Sequence, residues 1–302
     1  MSLQRGLTPT PRYKLASATP YSPVYAPPAQ FLWPFGQLSM WGNDVNGDCV
    51  TAEEAAAKAC NTPGGSVFVP DATVIAWAQA HGVLNGANIP DVSNSMVKDG
   101  FIVSGNSWDD GSLSAVDYSH AATLQAAINV GPVKIGIAAG QLQATCEAAG
   151  IGQPWFATGY IQDSNEDHCV SLFGYGPITW LASQLGVTLQ AGVDGTKLGY
   201  ALFTWSTVGL IDEPSLMAII GEAWVRNPTT VEVGPEPAPN PNPTPVPTPT
   251  PPPAPSGTVT MDAVVEAFQF LVDLVRQGRV TDQHMLMMGQ FLVDLVSNVP
   301  RA

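Results

Sequence analysis

Between residues 235 and 256 the sequence reads PEPAPNPNPTPVPTPTPPPAPS, and no other run restricts the folding of the chain as strongly. Proline lacks the backbone N–H and holds φ near −65°, so this stretch can sustain neither a helix nor an inner strand. It reads as a stiff polyproline-type spacer reaching roughly 3 Å per residue. The 302 residues are therefore expected to divide into a large N-terminal part, a Pro-rich linker over 233–257 and a small part over 258–302. In the small part Thr260 is placed to cap an apolar-striped helix ending at Gly278, and Thr281 to start a second one running to Asn298. The run QFLVDLV occurs at 269–275 and again at 290–296, which makes the two helices a repeat. A helical hairpin this short can hardly bury its own Phe, Leu, Val and Met faces, so self-association or docking on a partner is expected of it.

The large part begins with an arm, residues 1–40, rich in Pro, Tyr and Ser and without periodicity. It is expected to be extended and to lie on the domain surface or on a partner. From Trp41 the pattern becomes that of a folded core. The run CVTAEEAAAKAC at 49–60 reads as a helix that starts at Cys49, with Asp48 as its cap, and ends at the Pro and Gly residues that follow. Further helices are expected over 70–82 and 120–130, each closed by glycine. Short β-like runs follow, VKIGIAA at 133–139, HCVSLFGYG at 168–176 and GYALFTW at 199–205. Helices first and strands later indicate an α+β domain over residues 41–232.

Composition narrows the partners. With 45% apolar residues the chain can build a substantial core, and a formal charge of −14 repels nucleic-acid backbones and anionic membranes. No stretch reaches the roughly 18 apolar residues needed to span a bilayer. The N-terminus lacks the apolar segment of a secretory signal, so no Sec export is expected. The four cysteines, Cys49, Cys60, Cys146 and Cys169, are scattered and form no C-x-x-C pair, which argues against a disulfide scaffold or a zinc site. The segment Asp44-Val45-Asn46-Gly47-Asp48 imitates a calcium loop, but Cys49 and Ala55 stand where its glycine and last acidic ligand belong. No metal and no cofactor are expected.

One cysteine is placed for chemistry. A thiol attacks a carbonyl as thiolate, and a helix N-terminus beside an imidazolium stabilises that form best. Cys49 sits at such an N-terminus. A side-chain amide is needed to help hold the oxyanion, together with the nucleophile's own N–H. Asn43, six residues before Cys49, can supply it, with Asn46 as the weaker choice. The base must come from elsewhere, and His168 opens an apolar β run. His81 and His120 lie at helix ends and His284 in the C-terminal part, and none has such a partner. Cys169 faces away from His168 on the same strand and reads as core, as does Cys60.

These residues resemble the papain-like cysteine peptidases. Asp167-His168-Cys169-Val170, closing in Gly174-Tyr175-Gly176, looks like their D-H-A-V…G-Y-G strand, and Gly131-Pro132-Val133 resembles their G-P-V. Cys49 falls at the family's nucleophile and Asn43 at its oxyanion glutamine. G-N-D-V-N-G-D-C with a late Thr-Trp strand is also similar to uncharacterised papain-like proteins of phages and prophages. The resemblance implies a two-part fold, a helical subdomain and an antiparallel β subdomain. It implies no cofactor. The chain departs from the family at Asp48 and Val50, which flank the cysteine, and at the asparagine that orients the histidine. Phe203 stands at that asparagine's place, leaving Thr204 or Ser206 as substitutes, while Trp205 matches the family tryptophan that covers the histidine.

Two functions are consistent with these features. The first is a phage-encoded cysteine hydrolase that cleaves amide bonds in a peptide or a peptidoglycan cross-bridge, with Cys49, His168 and Asn43 as its site. The second is a virion structural or binding protein on a papain-like scaffold, projected by the linker and assembled through residues 258–302. Either would reside in the virion or, during assembly, in the host cytoplasm.

Overall fold

The computed structural model describes residues 3–23, 25–60, 66–109 and 111–226, with the backbone of 231–233. The linker and the two C-terminal helices expected from sequence, with His284, lie outside these residues. By its contacts the chain divides into two units, Met1–Pro235 and Glu236–Ala302.

Unit 1 is a mixed α+β structure. Its helices are α1 (Arg12–Ser17), α2 (Cys49–Lys58), α3 (Asp71–Ala80), α4 (Ile89–Lys98), α5 (Ala121–Val130), α6 (Gly140–Ala149), α7 (Ile178–Leu185) and α8 (Glu213–Ile219). Its main sheet is built from β1 (Phe31–Leu32), β4 (Leu113–Ala115), β5 (Val133–Ile137), β6 (Phe156–Ala157), β7 (His168–Pro177), β8 (Leu198–Thr204), β9 (Thr207–Asp212) and β10 (Ile220–Arg226). The order is β4-β10-β5-β7-β8-β9-β6, with β1 paired to β7 and every pairing antiparallel except β6 with β9. A small second sheet joins β2 (Phe101–Val103), β3 (Asn106–Trp108) and β11 (Val231–Val233).

Strand β7 is the axis of the core. It lies between β5 and β8, and its residues 168–176 are all buried because both faces of the sheet are covered. Cys169 and Phe173 join one apolar cluster with α2, α3, α4 and α7, whereas Val170, Leu172 and Tyr175 join a second with α5, α6 and α8. The change from even to odd positions follows from a bulge between Leu172 and Gly174, where β7 carries one more residue than β8. At Gly174 the Phe31 carbonyl fills the space a Cβ would need, which lets β1 pair there.

All ten residues of α2 are buried. Its alanines let it sit close against the sheet, and it has no solvent face to show as periodicity. Glu53, Glu54 and Lys58 are buried with it. Glu54 Oε1 lies 2.8 Å from Lys134 Nζ on β5 and accepts a hydrogen bond from Ser93 Oγ at 3.1 Å, and Lys58 Nζ stands 3.8 Å from Oε2. Burial pushes the Glu53 carboxyl well above the usual carboxylate range, against the smaller opposing effect of the nearby Ser171 hydroxyl on β7. Asp48 precedes α2 as expected, but its carboxylate accepts no helix amide. Its backbone carbonyl receives Thr51 N and Ala52 N instead, at 2.9 and 3.0 Å.

The described part of the first forty residues packs against this core. Leu3 and Leu7 are 5% and 7% exposed and belong to the two apolar clusters, while Arg12–Ser17 coils into α1. Because Lys134 is the near cation for a fully buried carboxylate, Lys134→Met should lower the free energy of unfolding by about 3 kcal/mol or more. A urea midpoint equal to that of the unaltered protein would mean that Lys58 alone balances Glu54.

Candidate active site

Cys49 and His168 are each 1% exposed, at the first residues of α2 and β7. Helix α2 packs on β7, and the Cys49 sulfur takes a hydrogen bond from the Cys169 amide, so the first residue of α2 lies beside the first residues of β7. His168 is held on two sides. Its Nε2 is 2.8 Å from Thr204 Oγ1, and its ring stacks on Trp205 with centroids 4.3 Å apart and planes 13° from parallel.

Both contacts come from one turn. Thr204 and Thr207 pair across the β8–β9 hairpin, leaving Trp205 and Ser206 as a two-residue turn with φ of 43° and 69°. Such turns need positive φ at both positions and usually carry Asn-Gly. Here a tryptophan accepts that conformation and lies over the histidine. Of the two sequence candidates for orienting His168, the structure brings Thr204 to it; no hydrogen bond joins Ser206 to the ring.

Asn43 and Asn46 lie in the loop before α2. Asn43 Nδ2 donates to the Asn46 carbonyl at 3.1 Å and Asn46 Nδ2 to the Gly42 carbonyl at 3.4 Å. Burial raises the Asp48 carboxyl to about 7, with its own amide and the Asn43 side chain pulling it down.

The site is filled by the chain itself. Residues 3–10 run between the α2 end and the β7 end. Gln4 N donates to the Asn43 carbonyl and Trp205 Nε1 to the Gln4 carbonyl, both at 3.1 Å. Arg5 reaches Asp167 Oδ2 at 2.6 Å and Gln143 Oε1 at 2.8 Å. The Gly6 amide hydrogen-bonds the Cys49 sulfur from one side and the Cys169 amide from the other. Ala87 N donates to the Gly6 carbonyl at 3.0 Å, Thr8 N to the Ala87 carbonyl at 2.9 Å and Leu7 N to the Asp167 carbonyl at 3.1 Å. No side chain fits at Gly6, because the Gly47 carbonyl occupies the place of its Cβ.

Burial under this segment leaves the pair uncharged. The Cys49 thiol is pushed up to about 12, chiefly by desolvation. His168 is pushed down to about 3, by desolvation and then by the Arg5 charge. Its Nδ1 has no hydrogen-bond partner among the described residues. Cys60, Cys146 and Cys169 are buried free thiols; burial raises Cys146 to about 12 and pushes Cys60 and Cys169 well above the usual thiol range as well. Among the described residues no cluster of His, Cys, Asp and Glu could hold a metal ion, and no helix is long and apolar enough to cross a membrane.

Procathepsin L 3 from the larval midgut of Tenebrio molitor superposes with a TM-score of 0.50 at 13% identity, covering 70% of this chain and 73% of that one. The proform of the ragweed pollen cysteine protease Amb a 11 gives a TM-score of 0.50 at 12% identity, with 72% of each chain covered. The fold is that of the papain-like cysteine proteases. No protein-family model and no curated protein matches the sequence. The likeness therefore lies in the three-dimensional arrangement of the fold.

The Trp205-Ser206 turn offers a test of how His168 is held. A left-handed serine costs about 1 kcal/mol that glycine does not incur. Ser206→Gly should therefore raise the thermal midpoint while Trp205 stays on the ring, read by calorimetry and tryptophan fluorescence. A lower midpoint would mean that Ser206 makes a stabilising contact.

Proposed function

We propose that the protein is a cysteine hydrolase acting on amide bonds, with Cys49 as nucleophile, His168 as proton carrier and Thr204 as the group that positions the histidine. The observation that carries this reading is the seating of an extended segment of the chain over Cys49. A groove that holds residues 3–10 by main-chain hydrogen bonds and excludes a side chain beside the sulfur can hold another extended peptide in their place.

With the segment displaced, water returns to both groups, and the thiol and imidazole move back toward their ordinary ranges. Cys49 Sγ then passes its proton to His168 Nδ1, the nitrogen that Thr204 leaves unoccupied. The thiolate attacks the carbonyl carbon and the electron pair moves to oxygen. The Cys49 amide stabilises that oxyanion, joined by Asn43 once its Nδ2 turns from the Asn46 carbonyl. His168 gives its proton to the departing nitrogen, the C–N bond breaks and a thioester remains. Water, deprotonated by His168, attacks the thioester, releasing the acid and the free thiol.

Gly6→Ala tests this directly, since a methyl there meets the Gly47 carbonyl and must lift the segment. We expect iodoacetamide near pH 6 to label Cys49 at least tenfold faster in Gly6→Ala than in the unaltered protein, with the gain lost in Gly6→Ala/His168→Ala. Mass spectrometry identifies the labelled cysteine. Labelling that ignores His168, or falls equally on the four cysteines, would remove the dyad, and turnover of an amide substrate by Cys49→Ala would remove the mechanism.

The finer assignment, a phage-encoded enzyme acting on peptide or peptidoglycan and assembled in the virion through residues 258–302, rests on the G-N-D-V-N-G-D-C pattern and the repeated QFLVDLV. Deleting 258–302 should convert oligomer to monomer in light scattering. An unchanged mass distribution would dispose of the assembly role.

A further inference from the structure

Below the site, two acidic side chains meet under the same segment. Glu166 lies two residues before His168, and Glu222 is on β10, 2% exposed. β10 bulges between Ile220 and Glu222, so that Gly221 is the extra residue and Glu222 stands opposite Gly136 of β5. The Glu166 carboxyl fills the space that side chains at Gly136 and Gly221 would need. Leu7 closes the cradle from above, with its Cδ2 beside the same Gly136 position. Glu222 Oε1 accepts the Thr10 amide at 3.2 Å and its Oε2 accepts Trp224 Nε1 at 2.6 Å. Glu166 is hydrogen-bonded to Glu222, and two carboxylates can share such a bond only if one is protonated. Glu166 Oε1 accepts no hydrogen bond from a donor among the described residues.

We propose that the Glu166–Glu222 pair is a pH-dependent latch on residues 3–10: one proton shared by the two carboxyls keeps Leu7 and Thr10 seated, and its loss at alkaline pH releases the segment from Cys49. The inference needs the segment to lie over the site. It does not need Cys49 to be a nucleophile.

Burial, then the Glu222 charge, raises Glu166 to about 8 from an ordinary value of 4.5. Lifting Leu7 and Thr10 solvates the carboxyl and returns it toward that ordinary value. The closed form thus keeps a proton that the open form gives up. Closure from this group is fully present below 4.5 and is lost as pH rises to about 8.

The other groups under or beside the segment divide by sign. Asp48, raised to about 7, acts in the same direction as Glu166 up to that pH. His168, lowered to about 3 from 6.5, acts oppositely, favouring opening as pH falls below 6.5. Arg5 is ion-paired with Asp167 at 2.6 Å. Tyr118, whose hydroxyl donates to the Gly221 carbonyl and whose pKa lies above 10, stays neutral. Cys49, raised from 9.0 to about 12 and bonded by the Gly6 amide, acts in the same direction as Glu166 but only from about pH 9 upward. Between pH 7 and 8.5 Glu166 therefore gives up most of the linked proton, and the rest of the Asp48 proton adds about twofold at most.

Hydrogen exchange of the Leu7, Thr8 and Thr10 amides, corrected for intrinsic rate, measures opening without any substrate. Between pH 7.0 and 8.5 we expect their protection to fall about fivefold to tenfold in the unaltered protein, as one linked proton requires. The Ile135 amide in the sheet should keep its protection. Glu166→Gln should hold the segment amides within twofold, and Glu166→Ala decides if the glutamine variant fails to fold. No fall in the unaltered protein, or the same fall in the folded variant, overturns the latch.

Discussion

The structure depends on the burial of α2 on every side. A helix with no solvent face fixes its ends as firmly as its middle, and Cys49 is its first residue. Three titratable side chains go into the core with it, and the Glu54–Lys134 ion pair ties the helix to β5. A buried ion pair stabilises little compared with apolar packing, yet breaking one is costly, so such pairs define register more than they add stability. The register matters here because β7 begins with His168. Sliding α2 by one turn would move the sulfur about 5 Å from the edge where the imidazole sits.

The helix at Cys49, the strand at His168 and the α+β order of elements could be read from the sequence, because each is written in local signals. The run CVTAEEAAAKAC is strong helix former bounded by glycine and proline, and HCVSLFGYG is a buried strand. Motifs carried the rest. Helices α4, α6, α7 and α8 gave weaker signals: α4 opens on Asn88 and Pro90 and contains two serines, α6 opens on Gly140, and α7 follows Pro177. Each is stabilised by its seat on the sheet rather than by its own propensity.

The contacts made by residues 3–10 had no such signal. Arg5 pairs with Asp167 and Gln143, Trp205 with Gln4, and Thr10 with Glu222, all across more than one hundred positions of sequence. An arm without periodicity looks the same whether it lies on a surface or in a groove. Only Gly6, where the Gly47 carbonyl leaves no room for a side chain, marks the place of closest approach, and one glycine among 29 does not announce itself. The same holds for Asn43. Its spacing from Cys49 matches an oxyanion donor, yet with Gln4 bound to its carbonyl its amide turns to Asn46.

One buried segment therefore sets the charge state of the whole edge. By excluding water it holds Cys49 as thiol, His168 as neutral imidazole and Glu166 as neutral acid, each the form that low polarity favours. A nucleophilic thiolate and its imidazolium need the opposite environment. Under the proposed mechanism, closing the groove and forming a Cys49–His168 ion pair are thus mutually exclusive, and whatever shifts the first equilibrium shifts the second. Groups that prefer their charged forms, chiefly Glu166 and Asp48 toward alkaline pH and His168 toward acid, all act against closure. Closure is consequently favoured most in the mildly acidic range between those limits, and the site is most accessible where one of the three has become charged.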